Sequence, residues 1–156
     1  MRVRIPPPLL AVAAAALMWW LDRRMPVVRL LMPPWNRIGW VFICVGFGID
    51  LTSIAEFLRA KTTVNPIRIE RAARLVVTGL YRVSRNPMYL GLLTVLFGWA
   101  VILGSLAPFL VMVTVERLLV VMQIKAEEAA LAAKFGDEYV DYTRRVRRWI
   151  GWVRQR

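Results

Sequence analysis

The chain has 156 residues, of which 58% are apolar and 11% aromatic, and its formal net charge is +12. Histidine is absent, and Cys44 is the single cysteine. These counts exclude an imidazole general base, an intramolecular disulfide and a metal site built from cysteine and histidine. The length suits one domain, residues 1–156, and we expect no bound metal.

Four apolar runs follow one another along the chain, at about 9–21, 38–58, 88–104 and 106–124. A helix rises about 1.5 Å per residue, so about 20 residues cross a hydrocarbon core. We therefore predict an all-α integral membrane protein, a compact bundle of about four transmembrane helices. The first run also resembles a secretory signal, but no small-residue cleavage site follows it, so we interpret it as an uncleaved span.

The basic residues are concentrated in the loop 59–87 and in the tail 125–156. Anionic lipid and membrane topology explain this distribution more simply than nucleic acid does, so we expect no nucleic-acid partner. Both segments should be cytoplasmic, because basic residues favour that side. The two assignments agree, since two spans joined by the tight Gly104-Ser105 connection return the chain to the same side. The basic loop 22–37 would then be external, which is contrary to the usual bias and weakens the assignment of the first span.

The third run begins with a helix-start signal, Asn86-Pro87. We predict that the Asn86 side chain accepts hydrogen bonds from the first free amides, while Pro87 occupies the first helical position. The remaining amides and the positive end of the helix dipole would form a small anion site for a carboxylate or phosphate.

An acidic pair, Glu127-Glu128, lies just beyond the fourth run, at the depth expected for the start of the third. Alone, such a pair is more often a solvated helix face, and Asn-Pro is only a cap. Their placement at one side of a helical hairpin predicts a shared cytoplasmic pocket. In such a pocket the helix-start amides would bind a carboxylate, and a glutamate would bind an ammonium or ribose hydroxyls. These groups suit an amino-acid nucleoside such as S-adenosylmethionine.

The tail after Gly136 carries apolar and aromatic residues at helical spacing: Tyr139, Tyr142, Val146, Trp149 and Val153. This pattern predicts a C-terminal interfacial amphipathic helix, which would be either a membrane anchor or a lid over the pocket.

Ionisable residues within or beside the apolar runs are costly in a membrane, so they should face the bundle or a hydrated cavity. They are Asp50, Glu56, Glu116 and Arg117. We take Glu56 and Arg117, together with Arg82, as candidate substrate-binding residues. Structural pairing near the boundary, or contact of Arg82 with lipid headgroups, explains them equally well.

Several of these motifs, in order, resemble the isoprenylcysteine carboxyl methyltransferase and phospholipid methyltransferase group of membrane enzymes. The matching pieces are residues 62–66, residues 78–82, residues 85–91, the pair Glu127-Glu128, the pair Phe135-Gly136, Tyr139 and Tyr142. The resemblance implies a helical bundle that binds S-adenosylmethionine near the cytoplasmic face, releases S-adenosylhomocysteine and admits a lipid acceptor sideways from the membrane.

The resemblance also implies roles for individual residues. Those matched to cofactor binding are Thr78, Gly79, Tyr81, Asn86, Pro87, Tyr89, Gly91, Glu127 and Glu128. Arg85, Glu127 and Glu128 are the implied catalytic residues. Three departures are evident: Asn86 replaces the His of the eukaryotic enzymes, Leu96 replaces a Trp, and a proline expected near Arg147 and Arg148 is missing.

Methyl transfer is an in-line displacement in which the protein aligns and desolvates the partners. A carboxylate acceptor needs no general base, whereas an amine must lose a proton, which Glu127 or Glu128 would accept. Two other classes stay open: an NADPH-dependent enzyme like the sterol reductases, and a non-enzymatic membrane scaffold or partner protein. Abundant Ala, Val, Leu and Arg indicate a GC-rich prokaryotic source, and hence an inner-membrane location.

Overall fold

The computed structural model describes residues 6–25, 28–60 and 74–151, and this part of the chain is predominantly helical. Its helices are α1 (Pro7–Arg24), α2 (Gly39–Arg59), α3 (Pro87–Leu103), α4 (Leu106–Leu119), α5 (Lys125–Phe135) and α6 (Asp137–Arg145). The all-α prediction is confirmed. The motif at 62–66 and Val153 lie outside the described residues.

Short helical segments connect the longer ones. A 3₁₀ turn, Trp35–Ile38, leads into α2, and a second, Gly79–Arg82, precedes α3. A π-helical turn, Val120–Ile124, joins α4 to α5, so the helical path is continuous from Leu106 to Phe135.

Within the part of the chain that the structure describes, two helical segments are long and apolar enough to cross a membrane, Trp35–Arg59 and Leu106–Phe135. Helix α3 is apolar but shorter. These segments correspond to the second, third and fourth apolar runs. The count of four spans stays a prediction.

Glycines allow α2 and α3 to pack closely. A Cβ atom added to Gly46 would lie 2.6 Å from the carbonyl oxygen of Gly91, and one added to Gly39 would collide with the carbonyl of Gly98. Small residues of this kind permit two backbones to approach at a helix interface. The pairing is antiparallel, so the last turns of α2 extend past the start of α3 and reach the loop before it.

The core lies where α1 packs against α3 and α4. Its buried members include Met18, Leu96, Ala100, Val115 and Leu119.

A hydrogen bond also links α1 to α3, because the indole nitrogen of Trp99 donates to the carbonyl of Ala15 over 3.1 Å.

The tight connection between α3 and α4 is confirmed. Gly104 adopts a positive φ of 81°, and α4 begins two residues later at Leu106. The amides of Leu30 and Leu31 donate to the Gly104 carbonyl over 2.8 and 3.1 Å. This turn makes α3 and α4 antiparallel, so the start of α3 lies at the same end of the bundle as α5.

The tail helix is shorter than predicted. Helix α6 ends at Arg145, and Val146 is extended. The backbone then bonds to the loop before α3: the Arg85 amide donates to Arg147 over 3.0 Å, and the Gly151 amide donates to Val83 over 2.9 Å. These long-range hydrogen bonds replace those that a continued helix would form. The predicted helical stripe through Trp149 is therefore wrong.

Candidate cofactor site at the start of α3

The first turn of α3 meets α5 through a hydrogen bond from Tyr89 to Glu127. The Tyr89 hydroxyl lies 2.6 Å from Glu127 Oε1 and 3.2 Å from the side-chain amide of Gln123. The phenol has one proton to donate, and the closer, charged Glu127 carboxylate is the stronger acceptor for it, with Gln123 Oε1 as a second acceptor. Gln123 is buried in the π-helical turn, and the sequence motifs did not identify it.

Glu128 has different neighbours from Glu127. Arg85 Nη1 lies 3.2 Å from Glu128 Oε1. Arg148 binds the same carboxylate with two nitrogens, Nε at 3.1 Å and Nη2 at 2.7 Å. The hydrogen bond to Glu128 is the main cause of a raised pKa at Arg148. The structure thus brings the acidic pair and Arg85 together, and it adds Arg148, which sequence reasoning had assigned only to the basic tail.

The predicted capping role of Asn86 is wrong. The Asn86 side chain makes no capping hydrogen bond to the first turn of α3. The Asn86 backbone amide donates to Ser84 Oγ over 3.1 Å, and its side-chain nitrogen donates to the carbonyl of Arg148 over 3.3 Å. The side-chain amide therefore holds the tail and not its own helix. Pro87 does occupy the first helical position, as predicted, and it is buried.

The loop before α3 rests against the end of α2. Thr78 Oγ1 donates to Glu56 Oε2 over 2.6 Å. Gly79 has a positive φ of 53°, and a Cβ atom there would lie 2.5 Å from Glu56 Oε1. The Tyr81 ring packs edge-on against Phe57 with 5.3 Å between ring centres. Glu56 and the predicted loop residues are therefore neighbours.

Helix α6 holds the same loop from the other side. The Tyr142 hydroxyl donates to the carbonyl of Tyr81 over 2.6 Å. Burial raises the pKa of both phenols, with the negative charge of Glu127 adding to the effect at Tyr81. Both tyrosines are therefore neutral hydrogen-bonding groups at physiological pH.

The remaining predicted residues are dispersed. Gly91 lies on α3 and faces Asp50 of α2. Arg82 is exposed at the end of its 3₁₀ turn. The Arg117 side chain is 78% exposed on α4 and pairs with Glu116 at 3.3 Å, so the structure does not bring it to the Tyr89 contact.

Comparison with known proteins gives the class to which this fold and motif arrangement belong. Residues 35–138 match the phospholipid methyltransferase family. The matched segment includes α2, the loop before α3, the acidic pair and Gly136. The chain belongs to this family.

Individual relatives include both short and longer proteins. An uncharacterized protein of Haemophilus influenzae is 41% identical over 63 residues, which are 40% of this chain and 100% of that protein. Protein-S-isoprenylcysteine O-methyltransferase B of Arabidopsis thaliana is 30% identical over 118 residues, 76% of this chain and 60% of the plant enzyme. The Schizosaccharomyces pombe protein-S-isoprenylcysteine O-methyltransferase is 26% identical over 67% of this chain and 44% of its own length. No solved structure matches the chain.

Proposed function

We propose that the protein is an S-adenosylmethionine-dependent methyltransferase that acts on a membrane-embedded, lipid-like acceptor with a carboxylate or amine head. One observation carries the proposal. Two motifs about 40 residues apart in sequence meet at one end of the bundle, through Tyr89 with Glu127 and Arg85 with Glu128. Family membership supports methyl transfer as the chemistry.

The residues at this end fit the chemical groups of S-adenosylmethionine. The first turn of α3, which the Asn86 side chain does not cap, would direct amide donors and the positive end of its dipole toward a carboxylate. Arg85 Nε is buried and has no hydrogen-bond partner among the described residues, so it is a further donor for an anion. The Glu127 carboxylate suits an ammonium or ribose hydroxyls. When bound, the cofactor would supply a methyl group carried on a sulfonium.

The chain's own contribution is to orient the partners and to exclude water. Glu128, bound by Arg85 and Arg148, ties the tail to the start of α3. The Arg148 carbonyl also accepts hydrogen bonds from Ser84 and Asn86, both at 3.3 Å. The tail segment 146–151 would thus act as a cover over the cofactor, in place of the predicted longer helix.

The two long apolar segments and the family support a membrane location. The acidic pair and the start of α3 would lie at the cytoplasmic face of a prokaryotic inner membrane, because the basic loop and tail flank them. An apolar acceptor would reach the site from the lipid.

The test is calorimetric titration of the purified protein with S-adenosylhomocysteine. Saturable binding is expected, and Glu127→Gln should weaken it by about tenfold or more, because a hydrogen bond to a charged group is lost. Glu138→Gln, which changes an exposed acid in α6, should bind like the parent. The single Glu127 change is preferable to removing both acids, because Glu128 also anchors the tail.

Absence of binding by a well-folded parent, in nanodiscs as well as in detergent, would refute the proposal. Equal binding by the parent and Glu127→Gln would refute the role assigned to Glu127.

A further inference from the structure

Asp50 is a carboxylate near the candidate site that no motif accounts for. It lies on α2. Its Oδ1 occupies the space beside Gly91, so a Cβ atom added to Gly91 would collide with this oxygen. Gly91 is two residues after Tyr89, on the first turns of α3. Asp50 is therefore at about the same depth as the contact between Tyr89 and Glu127, but it lies on the α2 side of α3, because side chains two positions apart on a helix point in nearly opposite directions.

This carboxylate lacks the partners that a buried acid normally has. Its Oδ1 is buried and has no hydrogen-bond partner among the described residues, and within the same part of the chain no ion pair involves Asp50. Arg85 and Arg148 instead bind Glu128. A carboxylate in an apolar helix bundle is costly unless a cation or a donor compensates it. An unpartnered carboxylate of this kind is suited to bind a separate molecule that supplies the cation or donor.

The surroundings of Asp50 are acidic on more than one side. Burial is the main cause of the raised pKa of the Tyr81 phenol, and Tyr142 comes second. The negative charges of Glu127, Asp50 and Glu56 raise this pKa further. These three carboxylates therefore approach the same phenol from α5 and from two positions on α2. Arg59 pairs with Glu56 at 3.3 Å, whereas no ion pair involves Asp50 in the described part of the chain, so the Asp50 carboxylate attracts a cation and opposes an anionic head.

We propose that Asp50 binds the cationic head of the methyl acceptor, which makes the acceptor an amine and not a carboxylate. This inference rests on the proposed methyltransferase function and narrows its substrate class. An ammonium must lose one proton before its nitrogen can bond to the methyl carbon. The Asp50 carboxylate can take that proton, and the electron pair of the carbon–sulfur bond that breaks stays on the sulfur.

Binding measurements with two probes of equal length and opposite charge test the proposal. The protein, in phosphatidylcholine nanodiscs and saturated with S-adenosylhomocysteine, is titrated with octylamine and with octanoate. We expect saturable octylamine binding that Asp50→Asn weakens by about tenfold to hundredfold, since a charged hydrogen-bond acceptor is lost. Octanoate should bind the parent more weakly than octylamine does.

Two controls separate a local role from a general loss of structure. Asp22→Asn removes another buried acid, which lies at the end of α1 and pairs with Arg29, and it should leave octylamine affinity within about twofold of the parent. Asp50→Asn keeps the side-chain volume and removes an unpaired charge, so its affinity for S-adenosylhomocysteine should equal that of the parent.

The other outcomes overturn the proposal in distinguishable ways. Equal octylamine affinity in the parent and Asp50→Asn, or tighter binding of octanoate, would refute the role of Asp50 while leaving the methyltransferase function intact. Loss of S-adenosylhomocysteine binding in folded Asp50→Asn would assign Asp50 to the cofactor. Failure of the parent to bind S-adenosylhomocysteine would refute the proposed function itself.

Discussion

The hydroxyl of Tyr89 and the carboxylate of Glu127 lie 2.6 Å apart, although 38 positions separate them in sequence. Tyr89 is buried in the main core cluster, so its ring is fixed by packing against apolar neighbours. A hydrogen bond to a carboxylate is stronger than one between neutral groups. The contact therefore orients Glu127 with respect to the start of α3.

Replacing Tyr89 with Phe should separate orientation from folding. The phenyl ring fills the same core position, but Glu127 loses the hydrogen bond from the Tyr89 hydroxyl. We expect S-adenosylhomocysteine affinity to fall by about tenfold, the effect of one hydrogen bond to a charged group, with unchanged circular dichroism. The measurement is a calorimetric titration of parent and variant. An unchanged dissociation constant would show that Tyr89 does not orient Glu127.

Gly79 offers a prediction about the loop before α3. Gly79 has a positive φ of 53°, and a Cβ atom there would collide with the Glu56 carboxylate. Gly79→Ala should therefore lower the unfolding midpoint more in the parent than in a Glu56→Ala background, because the backbone strain is common to both and only the parent adds the collision. Thermal unfolding midpoints of the four proteins in the same detergent measure the difference. An equal loss in both backgrounds would argue against close contact between Gly79 and Glu56.

The α2–α3 interface provides a matched pair of glycines. Gly46→Ala places a methyl group 2.6 Å from the Gly91 carbonyl oxygen, whereas a methyl group at Gly48 meets no atom of the described residues within 4 Å. Gly48→Ala should raise stability by roughly 0.5–1 kcal/mol through helix propensity, and Gly46→Ala should lower it despite the same gain. Resistance to thermal unfolding is the readout. If Gly46→Ala is as stable as Gly48→Ala, the two helices do not pack as closely as described.

Tyr142→Phe should loosen the loop before α3 without disturbing the core. The substitution removes the hydroxyl that donates to the Tyr81 carbonyl over 2.6 Å, and leaving that buried acceptor unpaired costs about 1–3 kcal/mol. Limited trypsin digestion should cut the loop faster in the variant than in the parent. Identical digestion rates would contradict the anchoring role.

Tyr81 and Tyr142 also predict how the stability of the fold changes at alkaline pH. Burial raises the pKa of Tyr81 and Tyr142 above the ordinary value of 10.0. Below pH 10 both phenols are protonated in the folded and unfolded chain, so they contribute no pH dependence. Above pH 10 the unfolded chain releases these protons while the folded chain keeps them, so the free energy of unfolding falls. The unfolding midpoint should therefore decrease above about pH 10, and less steeply in Tyr142→Phe.

Much of the architecture could be predicted from local signals. The lengths of the apolar runs identified the longer helices, Asn86-Pro87 marked the start of α3, and Gly104 and Gly136 marked breaks between helices. The antiparallel hairpin predicted that the acidic pair and the start of α3 lie at the same end of the bundle. The side-chain cap at Asn86 was wrong, because a local rule does not include a competing acceptor 62 residues away on Arg148.

The sequence by itself determined the helices, the family resemblance and the pairing of two polar motifs, because each depends on the order and spacing of residues along the chain. Only the tertiary structure decided which partner each polar group takes. It assigned Glu127 to Tyr89 and Glu128 to Arg85 and Arg148. It also ended α6 at Arg145, since backbone groups of the tail gain hydrogen bonds from the loop before α3 that a longer helix would forgo. Such choices depend on distances between segments remote in sequence, which the linear pattern does not contain.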